Sequence, residues 1–354
     1  MADIAFHTID TSEIPEELAK ALQPMIVKWE AAALKVAAAH DPQRPRRWQQ
    51  GSAEELLSRR FNQLPDVVKT RAESRSDAVL TSARFPRRAE RLLGLDVKVA
   101  DDTPAVALAP RLTEQELGRL KAFAVSLAPP VTQRTSTAGP AAPVTWDRLS
   151  LQFIRVACID ETNGRFGTEI GSDEISIGGA LLDTDAKTNK ITPVDLGGSW
   201  DDGDVRDLNP PKAITEYSLR GGLTFPRAIF LNLVLVERDG SGLQDIINGI
   251  VEKIAAEAKT TLTALLAAAA GAAAGGPLGA LIGLAVGYAI DKIIGKLRSL
   301  WDDVAFIPRT IQADIPSRQA MFAGRRTSTS AVVRFRGPGE YACRYQWQLS
   351  EVRT

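Results

Sequence analysis

The sequence predicts an α+β protein of two domains. An N-terminal helical domain covers residues 1–128, and a Pro/Thr/Ala-rich linker follows at 129–145. An antiparallel β-sandwich then covers 146–354, with a long helical hairpin inserted at about 243–300. Three observations predict this. Capping boxes and apolar residues at helical spacing run through the first third. Short alternating runs punctuated by Gly, Pro and Asp make up most of the rest. Between two of those runs, Thr260 to Ile290 carries no charged side chain, and Gly271, Gly275, Gly279, Gly283 and Gly287 fall at every fourth residue.

The helical part opens at Pro15-Glu16-Glu17, where Leu18, Leu22, Met25, Ile26, Trp29, Leu34 and Val36 supply an apolar face. Pro24 is expected to bend or divide that helix. Ser52 with Glu55 and Thr113 with Glu116 are capping boxes that open two further helices. Segments 66–80 and 86–93 are helical as well. Arginines crowd residues 41–100: Arg44, Arg46, Arg47, Arg59, Arg60, Arg84, Arg87, Arg88 and Arg91. Interspersed acids favour a solvated face with intramolecular carboxylate partners over a patch for acidic lipid or an acidic protein.

In the sandwich, residues 227–236 are the strongest buried strand, with Ile229, Leu231, Leu233 and Leu235 on one face. Tyr341, Cys343, Tyr345, Trp347 and Leu349 alternate with polar residues as a two-sided strand. About eight strands are expected. Cys158 and Cys343 read as core residues, because two cysteines build neither a disulfide framework nor a zinc site.

The glycine repeat is the physical oddity. Residues four apart share a helix face, so these glycines form a bare groove. Each costs about 1 kcal/mol relative to alanine, and close approach of another backbone is the usual return. Gly275-Gly276-Pro277 divides the run into two arms, roughly 243–275 and 277–300. Ile246, Ile247, Ile250, Val251 and Ile254 on the first arm and Ile293, Ile294, Leu297 and Leu300 on the second make an amphipathic base. That base is expected to pack on the sandwich while the zipper extends beyond it. The zipper glycines, with Leu281 and Ile282, then form a membrane or assembly face, and Lys292 and Lys296 would sit at a bilayer interface. Each uncharged arm falls short of the roughly 20 residues that a spanning helix needs. Insertion would therefore follow a rearrangement or oligomerisation.

Acidic residues gather in predicted loops of the sandwich: Asp160, Asp173 and Glu174, Glu237 and Asp239, Asp302 and Asp303. Converging carboxylates suit calcium. Acidic loops on an all-β domain look like those of C2-type lipid-binding sandwiches, a resemblance that implies calcium as the ligand; no C2-specific motif runs through the chain. The segment from Asp183 and Asp185 to Asn189 echoes part of a calcium loop but lacks its Gly and bidentate Glu.

Composition disfavours several function classes. Lys+Arg 43 balances Asp+Glu 43, so no global charge points to nucleic acid or to an anionic membrane. The only histidines, His7 and His40, precede the β region, so no Ser-His or Cys-His pair is available within it, and no phosphate-loop motif occurs. The start MADIAFHTID has neither a basic nor an apolar leader region. Synthesis in the cytoplasm is expected, with membrane association or signal-independent export afterwards. The leading expectation is a non-enzymatic, membrane-active or effector-like protein, pore-forming or membrane-perturbing, of bacterial type. Its partner would be a bilayer or a protein covering the apolar tip, with homo-oligomerisation as a further route. The alternative is a soluble adaptor whose hairpin mediates self-assembly or docking. A hydrolase using the acidic loops is a minor alternative.

Overall fold

A computed structural model describes residues 3–11, 14–41, 43, 46–94, 112–127, 144–161, 173–185, 187–237, 243–270, 277–301 and 306–351. Most of the predicted linker lies outside them. In chain order the elements are β1 (Ala5–Ile9), α1 (Glu16–Ala38), α2 (Ala53–Gln63), α3 (Asp66–Thr81), α4 (Arg84–Leu93), α5 (Glu114–Ser126), β2 (Arg148–Asp160), β3 (Asp173–Asp183), β4 (Thr188–Trp200), β5 (Val205–Ser218), β6 (Arg227–Glu237), α6 (Leu243–Ala270), α7 (Pro277–Trp301), β7 (Arg309–Ile315), β8 (Ala331–Arg336) and β9 (Glu340–Ser350). Mixed α+β architecture follows, with two antiparallel sheets of order β1-β7-β6-β3-β4 and β5-β2-β9-β8.

Local sequence explains most helix ends. Ser52 Oγ accepts from the backbone N–H of Glu55 at 3.1 Å. The Glu55 carboxylate returns to the N–H of Gly51 rather than of Ser52, at 2.7 Å. Thr113 and Glu116 complete a full capping box, with contacts of 3.3 Å and 2.7 Å. Pro24 does not divide α1, which is continuous through it. One correction concerns the N-terminus: Ala5–Ile9 is a strand rather than part of a helical run, paired antiparallel with β7.

The five-stranded sheet separates two cores. Ile229, Leu231, Leu233 and Leu235 of β6 join Leu151, Phe153, Tyr345 and Trp347 of the second sheet in one of them. Ala228, Phe230, Val234 and Val236, on the other face of β6, join residues of α1 to α7 in the second. The central strand is thus covered on both sides, at about 1.5–3 kcal/mol for each large apolar side chain removed from water. Cys158 and Cys343 are buried in the inter-sheet core, and burial pushes the Cys343 thiol well above its ordinary range.

One buried charge network fixes the turn between β3 and β4. Arg227 is fully buried, and its guanidinium donates to Asp183 Oδ2 at 3.1 Å, to Asp185 and to the Thr224 carbonyl at 3.1 Å. Asp183 Oδ1 accepts from the backbone N–H groups of Asp185 and Lys187 at 2.9 and 3.0 Å. Tyr217 donates to Asp183 Oδ2 at 3.0 Å. The cation for this part of the calcium-loop echo is therefore the chain's own guanidinium. Because removing one partner strands a buried charge, Arg227→Met is expected to cost about 3–5 kcal/mol in urea unfolding. Asp183→Asn added to it should recover part of that loss.

Candidate functional site: the glycine face of the hairpin and its cradle

The described glycines of the run, Gly279, Gly283 and Gly287, lie against the sheet and its β3–β4 turn. A Cβ on Gly279 would come within 2.1 Å of the Thr184 carbonyl oxygen and 2.3 Å of its Cα. One on Gly283 would strike the Phe230 ring at 2.3 Å. At Gly287 it would meet Thr310 Oγ1 at 2.4 Å and Asn232 Oδ1 at 2.9 Å. The groove made by these three residues is filled by the β3–β4 turn, β6 and β7, so the close approach is helix to sheet. Gly271 and Gly275 lie outside the described residues. Leu281 and Ile282 are fully buried. The amphipathic base of α6 also packs inward: Ile247, Ile250, Val251 and Ile254 are buried, and Asn248 Nδ2 donates to the Ile191 carbonyl on β4 at 3.3 Å.

Charge pairs from α1 hold the hairpin in this cradle. Lys28 Nζ lies 2.6 Å from Glu257 Oε1, and the buried Trp29 donates its indole N–H to the other oxygen of that carboxylate at 3.1 Å. On the returning arm, Lys296 pairs with Glu30 of α1 at 2.9 Å. Lys292 is exposed, 3.8 Å from Asp291 and over the Tyr288 ring at 5.2 Å. Burial raises the Asp291 carboxyl above its ordinary range, opposed by Lys292 and Arg309. The outer flank of α7 is covered by α5, which is tied to α1 by Lys20–Glu116 at 2.6 Å and by Arg119–Glu17.

The acidic set does not assemble. Asp160 ends β2 in the four-stranded sheet, whereas Glu174 and Glu237 lie at neighbouring ends of β3 and β6 in the other. Asp239, Asp302, Asp303 and the side chain of Asp173 lie outside the described residues. Among the described residues no group of three or more His, Cys, Asp or Glu is placed to hold a metal ion. Sequence reasoning missed the α1 clamp, because Lys28, Trp29 and Glu30 meet partners more than 200 residues away.

The glycines differ in what a methyl group would meet. Gly279→Ala is expected to cost more than Gly283→Ala, since Thr184 presents backbone and Phe230 a ring that can turn; Gly283→Leu should exceed about 3 kcal/mol. Gly295 faces open space on α7, so Gly295→Ala should gain about 1 kcal/mol. Urea titration of the four variants orders them. A second expectation concerns acid. The Lys20 ammonium, then the Thr113 N–H, hold the Glu116 carboxyl down to about 2 against an ordinary 4.5. A lowered folded-state value stabilises above the ordinary value and is lost as pH falls from there towards about 2. The melting temperature of Glu116→Gln should therefore lie below that of the native chain near neutral pH, and the two should converge in that acid window.

Residues 265–313 match the family described as the co-chaperone DjlA transmembrane domain. No curated protein and no solved structure matches the chain. The matched stretch takes in the end of α6, all of α7 and the first residues of β7. Among the described residues no helix is long and apolar enough to cross a membrane. The chain thus carries a short segment similar to a transmembrane domain, with α7 folded here against a sheet.

Proposed function

We propose that the chain is a non-enzymatic, membrane-associating protein that stores a glycine-zipper hairpin on a β-sandwich and engages a bilayer through the hairpin's charge-free tip. The observation that carries this reading is the coincidence of the uncharged run Thr260–Ile290 with the match to a transmembrane domain. The tip alone is too short to span, so contact starts in the interfacial layer. Deeper entry takes α7 off the sheet. Leu281, Ile282, Val286 and Ile290 would exchange protein neighbours for lipid tails of equal apolarity, and Gly279, Gly283 and Gly287 would be free to seat another helix. The steps opposing entry are the rupture of Lys296–Glu30 and Glu257–Lys28, and exposure of Phe230, Val234 and Val236 on the sheet. A target surface must cover that face for release to be favourable.

A second reading draws on the glycine contacts themselves. With three zipper glycines occupied by the sheet, the hairpin serves the fold, the likeness is one of packing pattern, and docking or self-assembly takes place in water. Flotation with vesicles in high salt separates the two. Insertion predicts salt-resistant flotation of the native chain, with release of a trapped dye if the bilayer is perturbed. It also predicts that Ala268→Asp/Ala272→Asp floats at least about tenfold less, since a carboxylate at mid-helix depth costs about 2.5–3.5 kcal/mol. Absence of salt-resistant flotation for the native chain would sink the membrane reading in favour of the second.

A further inference from the structure

We propose that the exposed face of α4 is a docking surface for anionic lipid headgroups. This rests on the membrane reading above and supplies the lipid class that reading leaves open. Arg84, Arg87, Arg88 and Arg91 recur at spacings of three, four and three residues, which puts all four on one helix face. Arg84, Arg87 and Arg91 are exposed and Arg88 is half-buried. Phe85, Pro86, Ala89 and Leu93 on the opposite face are buried against the rest of the helical layer. The helix is therefore fixed in rotation, with its arginines outward.

These four have no carboxylate partner among the described residues, and they are clustered on one helix face. Arg59 pairs with Glu55, Arg119 with Glu17, Arg148 with Glu216, Arg155 with Asp207, and Arg334 and Arg336 with Glu340. Among the described residues no ion pair reaches the four arginines of α4, and Glu90, the single acid on that helix, bridges none of them. Among the described residues their one side-chain hydrogen bond is internal: Arg91 Nε donates to the Arg87 carbonyl at 3.2 Å. The sequence expectation of intramolecular partners holds for Arg59, while these four show none among the described residues.

Seven residues of helix span roughly 10 Å. Four guanidinium groups over that length repel one another unless anions lie between them. Lipid phosphates fit, since a guanidinium grips two phosphate oxygens at once. A ridge along one helix matches a flat headgroup layer. The chain's overall charge balance gives it no long-range field for any polyanion, so docking is local to the ridge. Docking through α4 would hold the protein at the surface before any hairpin movement, as a basic patch does for a weak lipid anchor.

The test is flotation of the full chain at low salt with phosphatidylcholine vesicles, with and without phosphatidylserine. A basic residue near an anionic surface contributes about 1 kcal/mol, or about fivefold in partition. Arg84→Gln/Arg87→Gln/Arg91→Gln should therefore bind phosphatidylserine vesicles about a hundredfold more weakly. Arg84→Lys/Arg87→Lys/Arg91→Lys should keep most of the binding, and Arg59→Gln should match the native chain. Added salt should release the low-salt complex. Equal flotation on both vesicle types, or a triple Gln variant that binds like the native chain, overturns the proposal while leaving hairpin insertion standing. Salt-resistant binding lost in Ala268→Asp/Ala272→Asp, with phosphatidylserine-dependent low-salt binding retained, supports the arginine ridge independently of the tip. No vesicle binding, together with duplex DNA binding that the Gln variant abolishes, assigns the ridge to nucleic acid and overturns it.

Discussion

Helix α7 lies closer to the five-stranded sheet than any side chain on that face would allow, and the helical layer takes its place from that contact. At Gly279, Gly283 and Gly287 the space for a Cβ is already taken by Thr184, Phe230 and the Asn232–Thr310 pair. Glycine weakens a helix by about 1 kcal/mol per residue, so three in register need a compensating contact. The sheet supplies it: α7 covers the face of β6 that carries Phe230, Val234 and Val236. Arg227 contributes at one remove: its bridges to Asp183 and Asp185 shape the turn that carries Thr184 under the first of these glycines.

Helix α1 then distributes that position outward. From one helix it reaches α6 through Lys28 and Trp29, α7 through Glu30, and α5 through Lys20 and Glu17. These links differ in kind. The Trp29 and Glu257 contact is shielded and directional, so it resists both salt and water. The α5 bridges are wetter, and exposed pairs of that kind contribute at most about 1 kcal/mol each. The same layer carries α4, whose cationic face has no internal partner among the described residues, on the side away from the core.

Much of this was legible in residue order, and the reasons for the remainder are physical. Charge boundaries and caps placed α6, α7, α2 and α5 within a few residues, since helix signals are local. Alternation found β6 through Ile229, Leu231, Leu233 and Leu235. It did not find that Ala228, Phe230, Val234 and Val236 are covered too, because what covers them is folded from distant segments. The five residues of β1 carry no turn signal of their own, and their partner is β7, some three hundred residues on. Periodicity in the zipper announced a bare face but held no information about whether a helix, a sheet or lipid would fill it. The segment holding Asp183 and Asp185 gave only an incomplete echo of a calcium loop, and their partner Arg227 could not be read because it is some forty residues away in sequence and adjacent in space.

Asn232 is a polar residue in the middle of a strand that is otherwise apolar and buried, and its amide oxygen accepts from Thr310 beneath the gap left by Gly287. Successive residues of a strand point to opposite faces, so sliding β6 by a single residue would turn that amide into the inter-sheet core. There it would meet only hydrocarbon, at a cost on the order of a few kcal/mol. A side chain that adds little grip of its own thereby acts as a key: a pairing of β6 that is out of step carries a penalty that the native one does not.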